Sequence, residues 1–122
     1  MKLSEITELY ERSFRQSKLP FLYCSSCNHN FYYPRDRCPR CHSNNLQVKL
    51  SSGKGKIFSY TVIHRKGKAE IFYAIVELEE GFRMYSNISD RVEIEDKVEV
   101  FFSQINGAIA PYFRKSASSH TG

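Results

Sequence analysis

Cys24-Ser-Ser-Cys27-Asn-His-Asn-Phe-Tyr-Tyr-Pro-Arg-Asp-Arg-Cys38-Pro-Arg-Cys41 holds every cysteine of this 122-residue chain. Each Cys-x-x-Cys pair forms a tight knuckle that aims two thiolates at one point. Tetrahedral zinc takes four sulfurs at about 2.3 Å, so two such pairs ten residues apart predict one metal site made of Cys24, Cys27, Cys38 and Cys41. Structural zinc is the expected ion, with a rubredoxin-like iron or disulfides as the alternatives. The residue after a knuckle often needs positive φ; Asn28 and His42 hold those places, and both types tolerate the left-handed region. Four thiolates leave no open coordination position, so the metal is expected to fold the chain and to perform no chemistry. His29 and His42 sit beside the ligands and are read as bystanders.

On the amino-terminal side, Leu3, Ile6, Leu9, Tyr10 and Phe14 recur at helical spacing, which predicts an amphipathic helix over residues 4–17 with Ser4 as its cap. Leu19-Pro20 is expected to end it, and Phe21-Leu22-Tyr23 to lead as a strand into the first knuckle. After Cys41 the pattern becomes short β-rich runs between turn signals: 56–64, 71–78, 83–88, 97–102 and 108–114. In the first run Phe58, Tyr60, Val62 and His64 alternate with Ile57, Ser59, Thr61 and Ile63, and Ser51-Ser52-Gly53-Lys54-Gly55 reads as its flexible approach. Five strands suit a small closed barrel, with the OB-fold as the leading choice. The expected fold class is a small α+β, mostly β chain: helix 1–20, zinc ribbon 21–48, OB-fold barrel 49–115, and a disordered tail 116–122.

No apolar run reaches the roughly 20 residues that span a bilayer, and the acidic, amphipathic start is unlike a signal peptide, so a cytoplasmic location is expected. The formal charge of +5 is a cancellation. Residues 12–68 carry twelve Lys and Arg against the single acid Asp36, a net +11, while residues 69–122 are at −4 and residues 1–11 at −2. So basic a stretch would draw a polyanion or a phosphorylated cofactor, or simply form a solvated face.

Catalytic candidates are thin. Gly53-Lys54-Gly55-Lys56 lacks the length and the Gly-Lys-Ser/Thr ending of a phosphate loop. His64 has no cysteine or well-placed serine to activate. The acids at Glu77, Glu79 and Glu80, and again at Glu93, Glu95 and Asp96, read as a solvated sheet edge.

The order of motifs is more specific than any one of them. The ribbon with Phe31-Tyr32-Tyr33-Pro34-Arg35, then Ser52-Gly53-x-Gly55-x-Ile57-x-Ser59-Tyr60-Thr61-Val62-x-His64, Ala74-Ile75-Val76-Glu77-Leu78-Glu79-Glu80-Gly81 and Pro111-Tyr112-Phe113-Arg114 resemble the zinc-ribbon/OB-fold family associated with acyl-CoA metabolism. The family usually has Gly where this chain has Asn28 and His42, and Pro-Pro where it has Tyr33-Pro34. The resemblance implies a non-catalytic, acyl-CoA-binding companion of thiolase-like enzymes; archaeal members look like a scaffold joining acetoacetyl-CoA thiolase to hydroxymethylglutaryl-CoA synthase. Coenzyme A would suit the basic half of the chain and an aromatic barrel mouth, with Lys54, Lys56, Tyr60, Arg65 and Lys66 as the expected ligand residues. The helix and Phe31-Tyr32-Tyr33 would serve as docking surfaces, the three aromatics equally as a cover over the knuckles. The competing reading is nucleic-acid binding, which zinc ribbons and OB-folds both support.

Overall fold

The computed structural model describes residues 2–105 and 107–116, so Met1, Asn106 and residues 117–122, with most of the expected tail, lie outside the described residues. Helix α1 (Leu3–Arg15) precedes eight strands: β1 (Leu19–Cys24), β2 (His29–Phe31), β3 (Leu46–Ser51), β4 (Lys54–Ile63), β5 (Ile71–Leu78), β6 (Arg83–Ile88), β7 (Lys97–Ile105) and β8 (Ala108–Lys115). The first three strands form a sheet in the order β2-β1-β3, and the other five close a barrel in the order β4-β5-β6-β8-β7. Its ladders are antiparallel except β6 with β8, which run parallel through Ile88 and Phe113. That is the expected five-stranded OB-fold. No helix among the described residues is long and apolar enough to cross a membrane.

The helix starts earlier than Ser4 predicts. Lys2 occupies the N-cap position, and its backbone N–H donates to Glu5 Oε1 at 3.1 Å. A carboxylate in the first turn satisfies an orphan donor there and faces the positive end of the helix dipole. At the other end the chain leaves the helix after Arg15 through Ser17 at φ 57, with the Lys18 N–H on Ser13 O at 2.9 Å. Pro20 does not merely stop the helix; it is the second residue of β1. It lies before β2 begins, where β1 has one neighbour instead of two, so its missing N–H is tolerated.

β1 ties the two halves together. Leu19 and Phe21 pack into the barrel core with Ile57, Val76, Phe82, Val98 and Phe113, while Leu22 and Cys24 pack with Ile6, Tyr10, Phe31, Cys38 and Leu46. Successive side chains of a strand point to opposite faces, so one six-residue strand serves both cores. Phe82 seals the junction, stacked on Phe21 at 4.9 Å and on Tyr32 at 6.3 Å, and Phe14 of α1 meets Phe102 of β7 at 6.0 Å. β3 stays paired with β1 as far as Ser51.

The regular alternation expected in β4 is broken by a bulge between Ile57 and Ser59. Ile57 is fully buried, Phe58 is 42 % exposed, and Tyr60 and Val62 again pack on the core. One extra residue flips the faces on either side of it, so Phe58 does not share a face with Tyr60. The bulge has partners: Ile57 N–H donates to Asp96 O and Ile57 O accepts the Glu95 N–H, both at 2.9 Å.

The approach to β4 is not flexible either. Gly53 has φ +78, and a Cβ on it would stand 2.4 Å from Val100 Cγ1; a Cβ on Gly55 would stand 2.4 Å from the Glu77 carbonyl oxygen. The linker is also latched by the β5–β6 turn. Ser51 Oγ and the Ser52 N–H donate to the two carboxylate oxygens of Glu80 at 2.6 and 2.9 Å, and Ser52 Oγ donates to Glu79 at 2.8 Å. These two acids are therefore more than a solvated edge.

Candidate metal centre and surface grooves

Two knuckles with one geometry bring the cysteines together. In the first, the Asn28 N–H returns to Cys24 O at 2.8 Å with Asn28 at φ 61; in the second, the His42 N–H returns to Cys38 O at 2.9 Å with His42 at φ 65. Both residues take the left-handed conformation anticipated for them. The knuckles are laced by residues the cysteine spacing did not single out: Ser26 Oγ lies 2.9 Å from Ser43 Oγ, Asn45 Nδ2 donates to Ser26 Oγ at 3.0 Å, and the Ser25 N–H donates to Asn45 O at 3.0 Å.

The four sulfurs lie within 4.8 Å of one another, with Cys24 to Cys41 and Cys27 to Cys38 both at 3.6 Å. Four sulfurs about 2.3 Å from a tetrahedral centre stand about 3.8 Å apart, so the cluster fits a four-thiolate ion and is far too open for S–S bonds. Burial raises the Cys24 and Cys38 thiols, but hydrogen bonds together outweigh it: the backbone N–H groups of Cys27 and Ser26 with the Cys41 and Cys27 thiols for the first, and the backbone N–H groups of Cys41 and Arg40 with the Cys27 and Cys24 thiols for the second. Both stay below the ordinary thiol value, Cys38 at about 7. Burial and the bonds among the thiols push Cys27 up to about 12. Such a proton-sharing set is converted to four thiolates by a cation. His29 stacks on Phe31 at 5.7 Å, and neither histidine belongs to the cluster.

Of the three ribbon aromatics, Phe31 is buried against the knuckles and Tyr32 joins both cores. Tyr33 is 47 % exposed, its hydroxyl oxygen accepting the Tyr85 N–H at 2.9 Å.

The five expected ligand residues do not meet. Lys54 and Lys56 line a groove of about 680 Å³ with Gly55, Leu78, Lys97 and Val98, but Glu77, Glu79 and Glu95 line it too, and Lys56 pairs with Glu95 at 3.2 Å. Tyr60 stacks on Phe72 at 5.8 Å and its hydroxyl reaches Glu93 at 3.4 Å. Arg65 and Lys66 lie in the turn beyond the far end of β4, nine residues and roughly 30 Å along an extended strand from Lys56. The barrel interior is filled by Ile57, Val76, Val98 and Phe113, none more than 1 % exposed. Nor does the +11 stretch form one patch. Arg12 and Arg15 pair with Glu8 and Glu11 on the helix, and Lys49 sits 4.1 Å over the Tyr23 ring.

Comparison with known proteins agrees with this architecture. The family model described as the rubredoxin-like zinc ribbon domain of ChsH2 matches residues 14–47, and that of the ChsH2 C-terminal OB-fold domain matches residues 48–103. A DUF35 domain-containing scaffold protein of Methanothermobacter thermautotrophicus is 40 % identical over 92 residues, 67 % of this chain and 69 % of that protein. A probable enoyl-CoA hydratase alpha subunit of Thermomonospora curvata is 32 % identical over 88 residues, 66 % of this chain but 28 % of that protein. Among solved structures, a chain of the Ltp2-ChsH2(DUF35) aldolase superposes with a TM-score of 0.73 at 25 % identity, covering 89 % of this chain and 93 % of that one. With ribbon and barrel matched in the same order and the archaeal relative covered over two thirds of its length, this chain belongs to the DUF35 family of zinc-ribbon/OB-fold proteins.

Proposed function

We propose that this chain is a non-catalytic accessory subunit, a scaffold that docks on a thiolase-like acyl-CoA enzyme such as acetyl-CoA acetyltransferase or hydroxymethylglutaryl-CoA synthase and lines part of its acyl-CoA path. The observation that carries the reading is the company this unit keeps: a relative at 40 % identity is named a scaffold, and in the Thermomonospora relative the matched unit is under a third of an acyl-CoA enzyme subunit. The geometry supports it. Cys24, Cys27, Cys38 and Cys41 would hold a zinc ion, whose chemistry there is to fix the two knuckles, because four thiolates fill its shell. Lys54 and Lys56, with Lys97 in the same groove, would meet the phosphates of acyl-CoA, helped by the partner's own surface where acids dilute their charge.

The test is co-expression with the thiolase and synthase of the same genome. Co-elution on a sizing column, and acetyl-CoA affinity of the complex that falls at least tenfold in a Lys54→Glu/Lys56→Glu variant, are expected. A chain that elutes alone from both enzymes, with and without acyl-CoA, overturns the reading.

A further inference from the structure

The outer face of β4, β5 and β6 gathers apolar surface that nothing else in the chain covers. Among the described residues eight large hydrophobic side chains are exposed, and five of them lie here: Phe58 and Ile63 of β4, Tyr73 of β5, Tyr85 of β6, and Tyr33, which the ribbon brings over by accepting the Tyr85 N–H at 2.9 Å. Phe72, Ala74, Val76, Met84 and Ile88 are buried, so Tyr73, Ile75 and Tyr85 point outward, while the β4 bulge turns Phe58 out and Ile63 pairs with Ile71. At roughly 200 Å² per large side chain, exposures of 40 % to 53 % sum to about 450 Å², the size of the largest and often functional patches on soluble monomers. With the half-buried Ile71 and Ile75 and the β4–β5 turn, the face approaches the roughly 800 Å² that each partner of a stable complex buries.

The centre of the face is preformed and carries no unpaired charge. The Tyr73 and Tyr85 rings stack at 5.9 Å with 16° between planes, and the Arg83 guanidinium lies 3.7 Å from the Phe58 ring centre while its Nε donates to Glu77 at 2.9 Å. Side chains already held by one another lose little freedom on binding, and aromatic residues with a neutralised Arg are the make-up of an interface core. Unpaired charge lies at one edge. Arg65, Lys66 and Lys68 are exposed in the β4–β5 turn, and no acid among the described residues pairs with any of them; the turn's Glu70 is engaged by His64 at 2.9 Å and Arg91 at 3.8 Å.

That edge selects the occupant. A second copy of this chain would bring Glu77, Glu79 and Glu80 from the opposite end of β5, but Glu77 holds Arg83 and the other two hold Ser51 and Ser52. The three cations call instead for a different protein with free carboxylates around an apolar centre. The helix, the other docking surface expected from the sequence, spends Ile6, Tyr10 and Phe14 on its own ribbon and barrel. Glu77 also lines the groove of Lys54 and Lys56, so a protein seated on this face abuts the groove proposed for acyl-CoA phosphates.

Building on the scaffold reading, we infer that the partner enzyme docks on this face, its apolar centre over Tyr73, Tyr85 and Phe58 and acidic residues of its rim against Arg65, Lys66 and Lys68.

The experiment is surface plasmon resonance of the zinc-loaded full chain on the co-expressed thiolase and synthase, at low and moderate salt. Tyr73→Ala and Tyr85→Ala are each expected to weaken the complex at least tenfold, chiefly by faster dissociation. Arg65→Glu/Lys66→Glu/Lys68→Glu is expected to slow association at least tenfold and to flatten its salt dependence. Leu3→Ser, an exposed apolar change on α1, is expected to alter the affinity less than twofold. Unaltered circular dichroism, melting and zinc content show that the variants remain folded, and the turn residues support no core, so the charge variant tests the face even if a tyrosine variant unfolds. Unchanged affinity in both tyrosine variants, or an unchanged association rate in the charge variant, overturns this docking face and leaves the scaffold reading standing. Loss confined to Leu3→Ser moves docking to the helix and overturns it as well. A chain that is dimeric on a sizing column and monomeric as Tyr85→Ala assigns the face to a second copy, with the same consequence. Absence of any complex overturns the scaffold reading and the face with it.

Discussion

Replacing Gly55 by alanine tests the barrel at its tightest point. The added methyl carbon would stand 2.4 Å from the Glu77 carbonyl oxygen and 3.1 Å from both the Glu77 carbonyl carbon and Leu78 Cα. All three are backbone atoms, so no rotamer change relieves the clash; β4 must move off β5 where Gly55 is also paired with Val98 of β7. Overpacking of this kind costs about 3 kcal/mol, and the smaller entropy of the unfolded alanine chain returns about 1, leaving about 2 kcal/mol of destabilisation. For a chain of this size that is a fall of about 8 °C in melting temperature. Urea unfolding of the zinc-saturated protein, followed by circular dichroism, measures it directly. An equal or higher midpoint with the same slope would refute the close approach of β4 to β5 and the reason given for Gly55.

Cys24→Ser should bind far less than one zinc per chain and lose the ribbon's protection from proteolysis; because Leu19 and Phe21 of the same strand β1 belong to the barrel core, the barrel should melt earlier too, and mass spectrometry of metal content, limited trypsinolysis and thermal melting check these in turn. Glu80→Ala removes two charge-assisted bonds to Ser51 and Ser52 and should cost about 1–2 kcal/mol, discounted for the partly exposed site, with faster hydrogen exchange at the Ser52 amide. Burial, with Tyr32 nearby, raises the Tyr10 hydroxyl well above its ordinary value of 10.0, so the folded state keeps its proton longer than the unfolded chain. The stability this contributes is complete below pH 10 and is lost as pH rises beyond it; denaturant midpoints should fall above pH 10 in the native chain and fall less steeply in Tyr10→Phe, which forgoes the bond to Tyr32 O.

What a short window of sequence settles, it settles well in this chain. Two Cys-x-x-Cys pairs imply converging sulfurs because a knuckle is closed by its own backbone, and Asn28 and His42 betray its left-handed step. The helical period of Ile6 and Tyr10, and the turn-bounded apolar runs after residue 50, mark elements whose hydrogen bonds and side-chain spacing are local. The faces those elements turn to one another are another matter, because strand register is set by segments far apart in the chain. One inserted residue at Phe58 moved an aromatic from the core to the surface, and nothing in residues 56–64 announces it; its partners are Glu95 and Asp96. Lys54 and Arg65 look like neighbours in a list of cations, yet an extended strand holds them at opposite ends of the barrel. Composition and spacing therefore determined the four-cysteine cluster, the element types and the barrel class. Only tertiary pairing decided that Glu79 and Glu80 latch the linker, that β1 feeds two cores, and that Tyr33, Tyr73 and Tyr85 share one exposed face, because each depends on contacts between residues a dozen or more positions apart.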